Sequence, residues 1–200
     1  MKAIRVHEYG GPEVLRYEDV PDFEPAPGQA VVKMDTVGVN FIDIYFRTGL
    51  YKSELPFTNG QEGAGVVTAV GADVSGVAVG DRVAYTGVIG SYAEQAVVPE
   101  ARLVKVPDGL EMSLAAAVLL QGMTAHYLTH STFPLGPGHT ALVHAAAGGV
   151  GLVLVQVAKM LGARVIGTCS TNEKAEKVLR AGADEVILYS QQNFEPEVRR

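Results

Sequence analysis

The stretch that decides the fold is His144-Ala-Ala-Ala-Gly-Gly-Val-Gly151, set between an apolar strand candidate at residues 141–145 and a helix candidate at 150–161. Strand, small-residue turn and helix in that order aim exposed backbone amides and the positive end of a helix dipole at a pyrophosphate. Side chains longer than Cβ would hold the ligand away, and the last glycine lets helix and strand pack closely. The first glycine of the usual Gly-x-Gly-x-x-Gly pattern is replaced by alanine, leaving Ala145-x-x-Gly148-x-x-Gly151. A Gly/Ala-rich helix packing site would have the same composition, so the surrounding pattern has to decide between the two.

Downstream, a strand at 164–169, a helix at 173–181 and a strand at 185–189 continue the alternation. Strands alternating with helices of that length predict βαβαβ and a parallel sheet. The tip of its second strand reads Thr168-Cys-Ser-Thr-Asn-Glu-Lys174. An NAD site usually places a carboxylate there to grip the ribose 2′-hydroxyl, and a 2′-phosphate would be repelled by it. Ser170 and Thr171 offer hydroxyls and Lys174 a positive charge, which favours NADPH. Against this stand the neighbouring Glu173 and the fact that Ser-Thr-Asn before a helix is also an ordinary cap. A doubly wound sheet has about six strands in two halves. Only one half is visible, so the chain is expected to be a fragment of a longer protein.

Upstream the character differs. Val-rich runs at 31–39, 63–70, 82–85, 92–98 and 103–106, broken at Gly11, Pro27 and Gly80, predict a compact, mostly antiparallel β unit. One helix interrupts it, with Asn40 at its cap, Asp43 in its first turn and a stop at Gly49. After Pro107 come helix formers at 113–120 and 124–128, then a breaker at 134–138. The domain joint lies here, giving domains 1–118 and 119–200.

The 200 residues are 48% hydrophobic, enough for a buried core. A formal net charge of −6 lacks the basic field that a nucleic-acid or membrane surface needs, although helix N-termini can still supply a local phosphate site. No apolar run is long enough to span a bilayer, and residues 2–9 carry no signal-peptide core. The single cysteine, Cys169, cannot form an internal disulfide or a thiolate zinc cluster. A soluble cytoplasmic protein is expected.

Five motifs in order, GVNFIDIYFRTGLY (38–51), GQEGAGVV (60–67), VGDRVAY (79–85), LQGMTAHYL (120–128) and HAAAGGVG (144–151), closely resemble the zinc-free quinone oxidoreductases of the medium-chain dehydrogenase/reductase superfamily. The resemblance covers the whole chain. It implies an α/β protein in which a GroES-like β-rich catalytic domain is followed by a Rossmann-type parallel sheet, here truncated, and a homodimer in the full-length form. It further implies NADPH-dependent reduction of a quinone, with an enone or another activated alkene as the alternative substrate. A third alternative is a nucleotide-binding or RNA-binding member without catalysis, against which the acidic balance argues.

By the same resemblance, Asn40, Asp43 and Tyr45 sit near the nicotinamide and its ribose, Tyr51 and Gln61 line the substrate cleft, and Thr124 is a nicotinamide-side contact. Ala147, Gly148, Gly149, Val150 and Gly151 would bind pyrophosphate, and Ser170, Thr171, Lys174 and Tyr189 the adenosine 2′-phosphate end. Bland roles remain open for several of these: Asn40 as a helix cap, Asp43 as a first-turn charge, Tyr45 and Tyr51 as core aromatics. Zinc-dependent relatives hold the metal with cysteine and histidine. Asn40 and Gln61 stand at the corresponding positions and neither is a normal zinc donor. No metal is therefore expected, and a conjugated quinone accepts reducing equivalents without a Lewis acid.

Overall fold

The computed structural model describes residues 1–199, which divide between Leu120 and Gln121 into two compact units. The first unit is built from β1 (Lys2–Val6), β2 (Leu15–Asp19), β3 (Gln29–Val37), α1 (Phe41–Arg47), β4 (Phe57–Thr58), β5 (Glu62–Val70), β6 (Arg82–Thr86), β7 (Gln95–Pro99) and β8 (Val104–Lys105). A small sheet runs β2-β1-β4 and a five-stranded one β7-β3-β5-β6-β8, with every pairing antiparallel. β-Branched residues at alternate positions give the larger sheet one dry face, where Val32, Val67, Val83, Tyr85 and Val98 pack together. Each buried valine contributes on the order of 1.5–3 kcal/mol. Two register shifts between β3 and β5, at Val31/Val32 and Met34/Thr36, bend the pair.

α2 (Met112–Tyr127) is one helix spanning the Leu120/Gln121 boundary, followed by a π-helical turn, Leu128–Thr132. The helix formers read at 113–120 and 124–128 lie on this one helix, and the interior Gly122 between them costs only about 1 kcal/mol. In the first unit, Ala115 and Ala116 of this helix pack on Ala64, Ala84 and Val106.

The second unit continues with β9 (Thr140–Val143), α3 (Gly149–Met160), β10 (Arg164–Cys169), α4 (Asn172–Arg180), β11 (Glu185–Leu188) and α5 (Phe194–Val198). The strands lie parallel in the order β11-β10-β9. Two successive crossovers of the same hand put both helices on one face. Val155 and Ala158 of α3 and Val178 of α4 accordingly share one core with Val143 and Val165. Gly167 in β10 makes room there: a Cβ on it would lie 2.7 Å from a Val178 methyl and 3.0 Å from the Ala146 Cβ.

The Val-rich strands, the α1 helix and the whole βαβαβ alternation fall where the sequence puts them, within two or three residues at the ends. Unpredicted are β1 and β2, whose Lys2, Arg5, Arg16, Glu18 and Asp19 dilute the strand signal, and the short β4. β2 lies at a sheet edge, where one side of the ladder faces no partner strand and charge is tolerated.

The closest backbone approach in the second unit is at Gly151. A Cβ there would lie 2.5 Å from the Ala145 carbonyl oxygen and 2.7 Å from Ala146 backbone atoms, none of which can swing aside. Gly151→Ala should gain about 1 kcal/mol in helix propensity but lose more to overpacking, roughly 1–3 kcal/mol. A net loss is expected, read as faster amide exchange in α3 and a lower urea midpoint for the second unit.

Candidate functional site

β9 ends at Val143, and the turn that follows is set by Ala145, whose φ of +49° lies in the left-handed region. The Ala145 carbonyl accepts the Gly148 N–H at 2.8 Å, and Ala146 N–H donates to the Thr168 carbonyl at 2.9 Å, tying the turn to β10. Gly148 caps α3 in an extended conformation. The first intrahelical bond is Leu152 N–H to the Gly148 carbonyl, so the N–H groups of Gly149, Val150 and Gly151 lie ahead of the helical ladder. Gly149 is kept small by Gln121, whose side chain would lie 3.2 Å from an added Cβ.

A cleft of about 150 Å³ opens beside this turn, lined by Ala145, Ala147, Gly148, Cys169, Ser170, Lys174 and Tyr189. It lies at the carboxyl ends of the parallel strands, where open α/β sheets bind ligands. The Lys174 ammonium donates to the Ser170 hydroxyl at 3.2 Å. Glu173, the residue that argues against a phosphate here, is engaged elsewhere: its carboxylate meets Lys177 at 2.9 Å one turn along α4, and that bond holds its pKa below the ordinary value. Thr171 is the N-cap of α4, its hydroxyl accepting the Lys174 N–H at 3.3 Å, and it does not line the cleft. The geometry thus brings together Ala147, Gly148, Ser170, Lys174 and Tyr189.

In the first unit, Asn40 caps α1 and Asp43 occupies its third position. The Asp43 carboxylate reaches back to accept the Asn40 backbone N–H at 2.8 Å, and the same oxygen accepts the Tyr92 hydroxyl at 2.7 Å. Asp43 is 3% exposed, and its other oxygen, Oδ1, is buried with no hydrogen bond. Burial raises the Asp43 pKa more than the bonds from Tyr92 and Asn40 lower it. Burial and the Asp43 bond also push the Tyr92 phenol up. Asn59 donates its side-chain N–H to the Asp43 carbonyl at 3.1 Å.

Tyr45 and Tyr51 meet edge to face with centroids 5.5 Å apart, and Tyr51 is 47% exposed. Gln61 is buried, with its Nε2 left without a hydrogen-bond partner. Thr124 lies on α2, in the second unit. Two polar residues at this end of the first unit escape the sequence reading, Tyr92 and Glu62. Glu62 is fully buried and its carboxylate accepts from the Asn40 side chain. The signal for it was present: it is the only charged residue from Phe57 to Ala72.

Among the described residues, no three or more His, Cys, Asp or Glu come together in a group able to hold a metal ion. The amide donors Asn40 and Gln61 do not suit zinc, which takes thiolate, imidazole or carboxylate. Among the described residues, no helix is long and apolar enough to cross a membrane.

An antiparallel β unit joined to a parallel βαβαβ unit with a phosphate-type turn is the plan of a two-domain nucleotide-dependent dehydrogenase. Residues 26–108 match the alcohol dehydrogenase GroES-like domain and residues 149–200 the zinc-binding dehydrogenase domain. A quinone oxidoreductase of Pseudomonas aeruginosa is 50% identical over 194 residues, covering 96% of this chain and 60% of the relative. A 2-haloacrylate reductase of Burkholderia sp is 42% identical over 204 residues, covering 98% and 61%. The crystal structure of Escherichia coli quinone oxidoreductase complexed with NADPH superposes with a TM-score of 0.96 at 39% identity, covering 100% of this chain and 62% of that one. The chain belongs to the medium-chain dehydrogenase/reductase superfamily, in its quinone oxidoreductase branch. It spans about 60% of the length of the curated relatives it matches.

A carboxyl group whose folded pKa is raised adds stability at low pH and loses it as pH rises from the unfolded value, 3.8, through the folded one. Asp43→Asn keeps an oxygen for Tyr92 and Asn40 but removes the titration. The unfolding free energy of Asp43→Asn minus that of the parent should therefore rise with pH above about 4, as followed by urea melts at a series of pH values. A difference independent of pH would contradict the assignment.

Proposed function

We propose that the chain is the catalytic unit and half of the nucleotide-binding unit of an NADPH-dependent quinone oxidoreductase that works without zinc. The observation that carries this reading is the cleft at the ends of β9 and β10, where Lys174 and Ser170 present a cation and a hydroxyl while Glu173 is held by Lys177. That chemistry fits an adenosine 2′-phosphate and disfavours the bare 2′-hydroxyl of NAD. The N–H groups at the start of α3 fit a pyrophosphate. The NADPH in the Escherichia coli structure supports the same cofactor here.

In this reading Gly148, Gly149, Val150 and Gly151 hold the pyrophosphate through backbone N–H groups, with Ala147 beside them. Ser170, Lys174 and Tyr189 hold the adenosine end, and Thr171 contributes by capping α4 so that Lys174 is in place. Asn40, Asp43, Tyr45 and Thr124 address the nicotinamide side, and Tyr51 and Gln61 the substrate. When bound, NADPH would supply two electrons and one proton, and with a second proton from solvent a quinone becomes a hydroquinone. The protein's share is to orient the two reactants, exclude water and offer hydrogen bonds to the oxygen that gains charge. The buried Gln61 amide, with an Nε2 lacking a protein partner, is suited to that last role.

A second reading keeps the cofactor and replaces the quinone with an activated alkene. The similarity to a 2-haloacrylate reductase favours it. A cytoplasmic homodimer accords with the family reading and is open to sedimentation analysis.

With the protein expressed from its complete reading frame, NADPH oxidation by 1,4-benzoquinone in a stopped-flow mixer should exceed the uncatalysed rate. Turnover on quinones above that on enones and haloacrylates selects the first reading, and the reverse order selects the second. Lys174→Glu should weaken NADPH at least about tenfold, the loss of one charge-assisted bond plus a repulsion, while NADH affinity changes little. Equal effects on the two cofactors would remove Lys174 from the 2′-phosphate site.

A further inference from the structure

We propose that Glu62 is a positioning residue for Asn40, its carboxylate fixing which way round the Asn40 amide sits at the start of α1. The proposal rests on the reading of Asn40 as a cofactor-side residue.

Glu62 has no exposed surface. A carboxylate withdrawn from water persists only where donors replace its hydration. Two do so here: the Asn40 Nδ2 donates to Oε2 at 2.9 Å and the Leu120 backbone N–H to Oε1 at 2.8 Å. The site is shaped for the acid, since a Cβ on Gly38 would collide with the Glu62 carboxylate, so no larger residue fits at 38 without displacing it. Gly38 is itself pinned, its N–H donating to the Glu62 carbonyl at 2.9 Å.

The two ends of an asparagine amide are nearly identical in shape and opposite in hydrogen-bonding sense. Packing alone hardly distinguishes them, whereas a carboxylate accepts only from the Nδ2 end. Asp43 holds the Asn40 backbone through its N–H and closes a capping box by donating its own backbone N–H to the Asn40 side chain, while Glu62 accepts from the Nδ2 end. The same carboxylate ties this cap to α2 at Leu120, one turn before Thr124.

Glu62→Gln tests this because both partners of the carboxylate are donors. Glutamine offers one acceptor and one donor, so either the Asn40 amide turns over or faces another N–H, or the Leu120 N–H loses its acceptor. The rival is that Glu62 only braces the fold, in which case its removal acts whether or not residue 40 carries an amide. NADPH affinity of the protein from its complete reading frame is measured for the parent, Glu62→Gln, Asn40→Ala and the double variant, with circular dichroism confirming that each folds.

Glu62→Gln should weaken NADPH about tenfold in the parent and less than about twofold in the Asn40→Ala background, the non-additivity of residues that act through one another. Equal losses in both backgrounds, or no loss in the parent, overturn the proposal. If the parent does not bind NADPH, the functional reading fails, and the ¹⁵N spectrum still decides the positioning. A shift of the Asn40 side-chain amide pair on Glu62→Gln supports it, and an unmoved pair overturns it.

Discussion

The second unit depends on how closely two backbones approach at Gly151. The Ala145 carbonyl and the Ala146 backbone stand where a side chain at 151 would be, so α3 lies directly on the turn leaving β9. That contact sets the direction of the helix axis, and with it the direction in which the amides of Gly149 to Gly151 point. The parallel register of β9 with β10 then brings Ser170 beside the turn, and the cap at Thr171 starts α4 so that Lys174 reaches the Ser170 hydroxyl. Hydrophobic burial of Val155, Val165 and Val178 keeps the layers together, but the missing side chain at one position decides where the polar groups meet.

The first unit solves a different problem, holding polar groups in a β core. Glu62, Asp43, Asn59, Gln61 and Ser91 are all buried, in a unit whose remaining interior is mostly valine and alanine. Most of their polar atoms are satisfied by one another or by backbone. The orphans, Asp43 Oδ1, Gln61 Nε2 and Ser91 Oγ, concentrate around the loop at residues 59–61 and the segment 91–92 that hydrogen-bonds to it. Unsatisfied buried groups cost stability and collect where a protein has a use for them.

The βαβαβ half is legible because period and punctuation agree: apolar runs of strand length alternate with helical segments closed by Gly162 and Gly182. The turn after β9 is legible from its small residues. The cap pair Asn40 and Asp43 is legible as a local signal, since both halves lie within one helical turn. Glu62 and Tyr92 are not, because what gives them meaning is distant in sequence: Asn40 lies 22 residues before Glu62 and Leu120 58 after it, while Tyr92 meets Asp43 across 49 residues. Composition can mark such a residue as odd, as Glu62 is among uncharged neighbours, without saying what it faces. The edge strands β1 and β2 fail for the opposite reason, being too charged to look like strands until the sheet supplies their partners.

Ala145 adds a point about the unfolded chain. A left-handed φ on alanine costs the native state roughly 1–2 kcal/mol that glycine would not incur. Glycine at that position, however, would enlarge the set of conformations open to the denatured turn, a loss of order recovered only on folding. Alanine therefore moves part of the turn's expense from conformational entropy to local strain, and the strain, roughly 1–2 kcal/mol, exceeds the roughly 0.4–1 kcal/mol of entropy saved. The strain is thus borne by the residue that starts the turn after β9, and the denatured chain has fewer conformations to lose there.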